Sequence, residues 1–152
     1  MKKRVILSVL LIATVAVLCG CKAEKQVSEG KVTFTAVDGI SGLPIENVRI
    51  VLPEDGIETV TGSDGKCEEV TVSVSKDGRY PIAQDYGTFT VFAFKDGYSD
   101  YALFYARIKE SEKRNMKIFL FSDDSPLSKG LPISIIESPD EEWVKEYMAQ
   151  YK

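Results

Sequence analysis

An all-β fold, a seven-stranded antiparallel sandwich followed by one short C-terminal α-helix, is what this sequence predicts. Apolar residues recur at period two in short runs, and turn residues or clustered charge separate those runs. A run of three aromatic side chains at four-residue spacing, the mark of a helix face, arises only after residue 138. Seven runs at such spacing, with no helical period among them, make a sandwich.

The first strand opens at Lys31, where Val32, Phe34 and Ala36 alternate with Thr33 and Thr35. Asp38-Gly39 and Ser41-Gly42-Leu43-Pro44 then supply turn chemistry. Val48, Ile50 and Leu52 form the second run, which Pro53 ends, and Ile57 to Thr61 the third. Gly62-Ser63-Asp64-Gly65 is a hairpin-type turn. Val70, Val72 and Val74 give the fourth and cleanest strand, and Pro81 argues against further pairing after the Lys76–Arg79 turn. Phe89 to Lys95, Tyr101 to Ile108 and Met116 to Phe121 complete the seven, with charged Lys109 to Arg114 between the last two. Residues 122–137 read as a linker, with a short apolar stretch of open state at Leu131–Ile136. The helix is expected over residues 138–152, with Ser138 as N-cap, Pro139 in the first helical position and Glu141 completing a capping box.

Ahead of the sandwich the chain has a different character. Lys2-Lys3-Arg4, an apolar run from Val5 to Leu18 and a small residue at the cut make a secretory signal peptide over residues 1–20. The run falls short of the roughly 20 residues a spanning helix needs, and Ser8 and Thr14 interrupt it. Leu18-Cys19-Gly20-Cys21 resembles the lipobox of bacterial lipoproteins. That resemblance implies a diacylglyceryl thioether on Cys21, cleavage after Gly20 and acylation of the new amino terminus. Cys19 fits less well as acceptor, since Leu18 would then hold the small-residue position. Residues 21–30 are the lipidated Cys and a polar tether. The expected location is therefore extracytoplasmic, anchored to the bacterial cell membrane by two or more acyl chains.

Composition narrows the function classes. Net charge is -4 over 152 residues, and the leader takes three cations with it, so the mature part lies near -7. That balance argues against nucleic acid and against charge-driven binding to an anionic bilayer. Of the three cysteines, Cys19 leaves with the signal and Cys21 is used for lipid, so Cys67 stands alone and reads as a small buried apolar residue. The chain has no histidine, which removes His-based triads, His zinc sites and the commonest general base. No catalytic residue and no cofactor is expected. The acidic loop residues Asp38, Glu54, Asp55, Asp64, Asp77, Asp96 and Asp100 lack the spacing of a calcium loop and read as solvated turns, so no metal site is expected.

The stretch Lys31–Phe121 resembles the carboxypeptidase regulatory-like, transthyretin-like sandwich family, an Ig-like architecture. The residues that carry the likeness are VTFTAVDGISGLPIENVRIVL, TVTGSDGKCEEVTV and GTFTVFAFKDGY. The family's order of strand, Asp, Gly-Pro turn, strand, Thr-x-x-Asp-Gly turn and Gly-Tyr exit is met by Asp38, Gly42-Leu43-Pro44, Val48–Leu52, Thr61–Gly65 and Gly97-Tyr98. It implies a non-catalytic accessory or binding module. The sister collagen-adhesin B-type domains form a Lys–Asn isopeptide bond, but here Ala36 stands at the Lys position and Val91, Phe92 and Ala93 where the acid is expected, leaving Asn115 without nucleophile or acid.

Aromatic residues mark the candidate surfaces. Phe92 and Phe94 lie on the parity opposite to Phe89, Val91 and Ala93, and Tyr101, Tyr105 and Phe104 follow closely. Apolar residues on both faces mean that the tail covers the second face, the favoured expectation, or that it is a binding patch such as a sugar-stacking platform. On the helix Trp143, Tyr147 and Tyr151 form one stripe with Val144 and Met148. Phe92, Phe94, Tyr101, Trp143, Tyr147 and Tyr151 are thus the candidate ligand or partner surface. The expected partners are the bilayer, through acylated Cys21, and an envelope protein or glycan.

Overall fold

A computed structural model describes residues 28–128 and 131–151 of the chain; Cys21 and most of the tether lie outside them. Two sheets pack face to face with a single core between them, and one short helix follows at the C-terminus. The smaller sheet has the order β4-β1-β8, with β1 Glu29–Asp38, β4 Val70–Ser73 and β8 Lys113–Leu120. The larger has the order β3-β2-β6-β7-β9, with β2 Arg49–Leu52, β3 Ile57–Val60, β6 Gly87–Phe94, β7 Tyr101–Ile108 and β9 Ile133–Ile136. The two-residue β5, Ser75–Lys76, pairs with the start of β6. Helix α1 spans Glu141–Ala149.

All seven expected runs are strands, and β5 and β9 are additional, so the described residues hold nine strands rather than seven. The arrangement is not wholly antiparallel either, because β1 pairs with β8 and β7 with β9 in parallel. The reason lies in connectivity. Strands β6, β7, β8 and β9 alternate in direction, but β8 crosses to the smaller sheet. That crossing leaves β7 and β9, two steps apart and alike in direction, as neighbours. The apolar stretch at Leu131–Ile136 thereby becomes an edge strand rather than linker.

The inward faces follow the period-two reading. Val32, Phe34 and Ala36 of β1 and Met116, Ile118 and Leu120 of β8 meet Ile50 and Leu52 of β2 and Phe89, Val91 and Ala93 of β6. Each strand buries alternate residues, so the same backbone that pairs within a sheet seals the core. Cys67 is buried among them, as its lone position suggested; its Sγ accepts a hydrogen bond from Phe34 N at 3.2 Å, and burial raises its pKa. The turn after β3 needs its glycine: Gly65 has φ +74°, and a Cβ there would lie 2.5 Å from the carbonyl oxygen of Ala36. Asp38 forms an Asx turn, accepting from Ile40 N, Ser41 N and Ser41 Oγ, and these bonds lower its pKa.

Strand β7 carries an irregularity that bears on function. Phe89 pairs with Ala106 but Val91 with Leu103, so Phe104 and Tyr105 together oppose one residue of β6. Tyr105 takes φ +58° to make this bulge. Core parity shifts across it, from Tyr101 and Leu103 to Ala106 and Ile108.

Strand directions also define two ends. β1 and β8 begin, and β4 and β7 finish, at the end where the chain enters through Ser28, whose carbonyl accepts from Val74 N. At this entry end lie the 109–112 turn, the 77–86 connection and, because β9 runs parallel to β7, the start of α1.

Candidate functional site

The outward face of the larger sheet is built by the residues that β3, β2, β6, β7 and β9 leave over after filling the core. Cross-strand partners share a face. The register therefore sets Val60, Arg49 and Phe94 in one row, Val51, Phe92 and Ala102 in the next, and Phe104 beside Ile136 in a third. Phe92 is the centre. Its ring centroid is 6.4 Å from that of Phe94 and 6.0 Å from that of Phe104, at interplanar angles of 57° and 78°. The Arg49 guanidinium carbon sits 4.6 Å from the Phe94 centroid, while Arg49 Nη1 donates to Glu58 Oε2 at 3.2 Å. Val60 and Ile136 are exposed at the two margins, and the three Phe rings are half-buried. The result is an apolar strip across five strands with one ion pair at its edge.

Sequence parity places Phe92 and Phe94 on this face correctly, but Tyr101 does not join them. Tyr101 is 5 % exposed and belongs to the core, because it precedes the bulge and shares the inward parity of Leu103. Nor does the tail cover the strip as expected. It adds β9 to the sheet margin and carries α1 to the entry end. Phe104, Arg49, Val60 and Ile136 join the surface through cross-strand register, which one strand's pattern cannot reveal.

The three helix residues form a second cluster, separate from the strip. The N-cap is Asp140, not Ser138: its Oδ1 accepts from Glu142 N at 3.0 Å and Trp143 N at 3.3 Å. Asp caps as well as Ser, and the other Asp140 oxygen accepts from Arg107 Nη1 at 3.1 Å, an ion pair that selects this register. These hydrogen bonds and Arg107 lower the Asp140 pKa. Trp143 docks on the 77–86 connection, its Nε1–H donating to Ala83 O at 3.1 Å and its ring 4.9 Å from Tyr80. Tyr147 stacks on Trp143 at 5.3 Å and Tyr151 on Tyr147 at 5.5 Å. Exposure climbs along the stripe, from 9 % at Trp143 to 77 % at Tyr151.

The tail is held by charge that sequence reading did not single out. Glu137 accepts from Arg107 N and Nε and from both Arg114 Nη atoms, at 2.9 to 3.2 Å. Beside it, Arg79 clamps Asp77, and the Arg79 guanidinium lies 3.8 Å from the Tyr105 centroid. Together these pairs tie β9 and the 77–86 connection to the bulged strand.

With this geometry in place, comparisons with known proteins add little. No protein-family model matches the chain, and no curated protein matches it. Among solved structures, the Bacillus anthracis TIE protein is similar at 16 % identity and a TM-score of 0.39, over 62 % of this chain and 17 % of that one. Two type II cohesin–X-dockerin complexes from Acetivibrio cellulolyticus are also similar. The C-terminal interface mutant matches at 16 % identity and a TM-score of 0.40, over 64 % of this chain and 59 % of the other. The N-terminal interface mutant matches at 15 % and 0.38, over 62 % and 58 %. The chain thus spans only part of the length of each. The likeness is one of β-rich architecture and goes no further.

Chemically, the strip offers apolar area and one guanidinium, with no nucleophile or paired carboxylates in it. Among the described residues no group of three Cys, Asp or Glu side chains is placed to hold a metal.

Proposed function

We propose that this chain is a lipid-anchored, non-enzymatic binding or assembly module of the bacterial cell envelope, and that it engages a protein partner through the outward strip centred on Phe92. The observation that carries the reading is the uncovered strip itself. Three clustered Phe rings, with Val60 and Ile136 exposed at the margins, sit on a sheet face that the tail leaves open. Contiguous apolar surface of this kind marks interaction sites. The aromatic cluster and the Arg49 stacked on it are the residue types that dominate protein interfaces. A glycan is the second reading, and ring geometry disfavours it. Sugars bind to open ring faces, whereas these rings are steeply tilted against each other and Phe has no hydroxyl to orient a sugar. We also assign the domain to the carboxypeptidase regulatory-like kind, on the Asp38 turn and the Gly65 turn.

Phe92→Ser with Phe94→Ser is the test of the strip. Crosslinked membranes should yield a partner with the wild type, and each substitution should weaken the purified pair by about 2 kcal/mol, roughly thirty-fold in Kd. Sugar-specific binding by the Lys22–Lys152 fragment on a glycan array, lost in the same variants, would replace the protein reading with the glycan one. Turnover of an envelope substrate would overturn both.

Anchoring has its own check. Mass spectrometry of the mature amino terminus should find diacylglyceryl-Cys21, and Cys21→Ala should release the protein from membranes. Membrane-bound protein with an unmodified Cys21 would refute lipidation.

A further inference from the structure

We infer that helix α1 stands between the sandwich and the bilayer and rests the outer end of its stripe, Tyr147, Met148 and Tyr151, in the lipid headgroup layer. This rests on the lipidation of Cys21 proposed above and adds a second, non-covalent contact with the same membrane.

Topology brings the helix there. Strand β9 runs parallel to β7 toward the entry end, so α1 begins at the end where Ser28 lies rather than at the far end with the Asp38 and Gly65 turns. Trp143 seats on Ala83 of the 77–86 connection. Glu146, one turn further on, lines a cleft of about 530 Å³ together with Asp85 and with Lys109 of the β7–β8 turn. The first half of the helix therefore lies against the end of the sandwich, at the 77–86 connection and the β7–β8 turn.

Tether length then sets the distance. Seven residue steps separate Cys21 from Ser28. Even fully extended they reach only about 25 Å, and a helix with its side chains is about 10 Å thick. A body held on so short a leash meets the bilayer at high effective concentration, so a weak surface contact suffices.

The stripe suits that surface. Its inner end is used for docking, since Trp143 is buried, but Met148 is 55 % exposed and Tyr151 more so. Tyr147 and Tyr151 stack edge to face. Tyr rings carry an apolar body and a polar tip, the combination that places them at membrane interfaces. Charge does not supply the attraction: the first turn is acidic through Glu141 and Glu142, and the last turn has no basic residue. The contact is apolar, depends on the anchor, and should be stronger on zwitterionic than on anionic lipid.

The experiment uses the lipidated full chain reconstituted in phosphatidylcholine vesicles. Nitroxide labels are placed one at a time by Tyr151→Cys and Met148→Cys, with Ser63→Cys at the far end as reference. Cys67 is buried and Cys21 is thioether-blocked, so only the introduced thiol reacts. Collision with a water-soluble nickel chelate should fall several-fold at positions 148 and 151, with collision by oxygen rising, while position 63 stays unchanged. Trp143 emission verifies that the helix remains docked. Labels at 148 and 151 as open to nickel as that at 63, on protein whose Cys21 is shown by mass to be lipidated, would overturn the inference and leave the anchor intact. Protection that persists without vesicles would also overturn it, since lipid would not be the cause. An unmodified Cys21 would remove anchor and inference together, and the mass spectrum tells that failure from the others.

Discussion

Arg79→Met is expected to destabilise the domain by about 3 kcal/mol, because it strands a carboxylate that has no solvent to fall back on. Asp77 is 0 % exposed, and its oxygens accept from Arg79 N, Nε and Nη2 at 2.6 to 3.1 Å. Replacing both residues by Asp77→Leu with Arg79→Met should recover part of the loss, since a buried pair has most effect when only one partner is removed. The Arg79 side chain holds the Asp77 carboxyl below its usual range. The contribution of the pair is thus complete above the unfolded carboxyl value of about 3.9 and is lost as pH falls through the lower folded value. In the Arg79→Met variant only the backbone N–H of residue 79 still holds that pKa down, and burial raises it. The stability gap between wild type and variant should therefore be largest at neutral pH and shrink toward pH 3. Urea titrations at the two pH values measure it; a gap that is independent of pH would show that Asp77 does not depend on Arg79.

Glu137→Ala should release the tail without unfolding the sandwich. Its carboxylate is shared by Arg107 and Arg114, and Asp140 alone would remain to face those two cations. The arginine side chains keep 29 % and 26 % of their exposure, which puts the expected cost at about 2 kcal/mol, below that of a fully buried pair. Trp143, the sole tryptophan, reports the event. Its emission should shift red at a urea concentration where the sandwich still gives native far-UV dichroism, and residues 138–151 should become sensitive to protease first. Glu137→Gln, which keeps the acceptor oxygen, should fall between wild type and Ala. Coincident transitions in the Ala variant would show that tail and sandwich form one cooperative unit.

Particular residues show how far local pattern reached. Each expected strand exists because alternation of Val32, Phe34 and Ala36, or of Phe89, Val91 and Ala93, admits only one buried face. β9 escaped because Ile-Ser-Ile-Ile does not alternate and its residues are mostly exposed, as a sheet margin allows. Tyr101 faces the core rather than the strip because the bulge at Phe104–Tyr105 gives β7 two parities, and neither half of the strand is long enough to declare itself. The cap moved from Ser138 to Asp140 because both residues can cap, and the choice fell to Arg107, thirty-three positions away. In the strip, Phe92 and Phe94 were legible from parity; Arg49 and Ile136 were not, since they arrive from other strands.

Local pattern alone specifies the class of fold, the buried state of Cys67 and the aromatic stripe Trp143-Tyr147-Tyr151. These are one-dimensional properties: a period, a lone thiol, a spacing. Which strands are neighbours, where the tail docks and which aromatic residues share a face were decided only in three dimensions. Crossing from one sheet to the other makes β7 and β9 parallel partners, and that pairing sends α1 to the entry end and leaves Phe92 uncovered. Pairing between distant strands depends on how two whole sheets close over one core, and no local window contains that information.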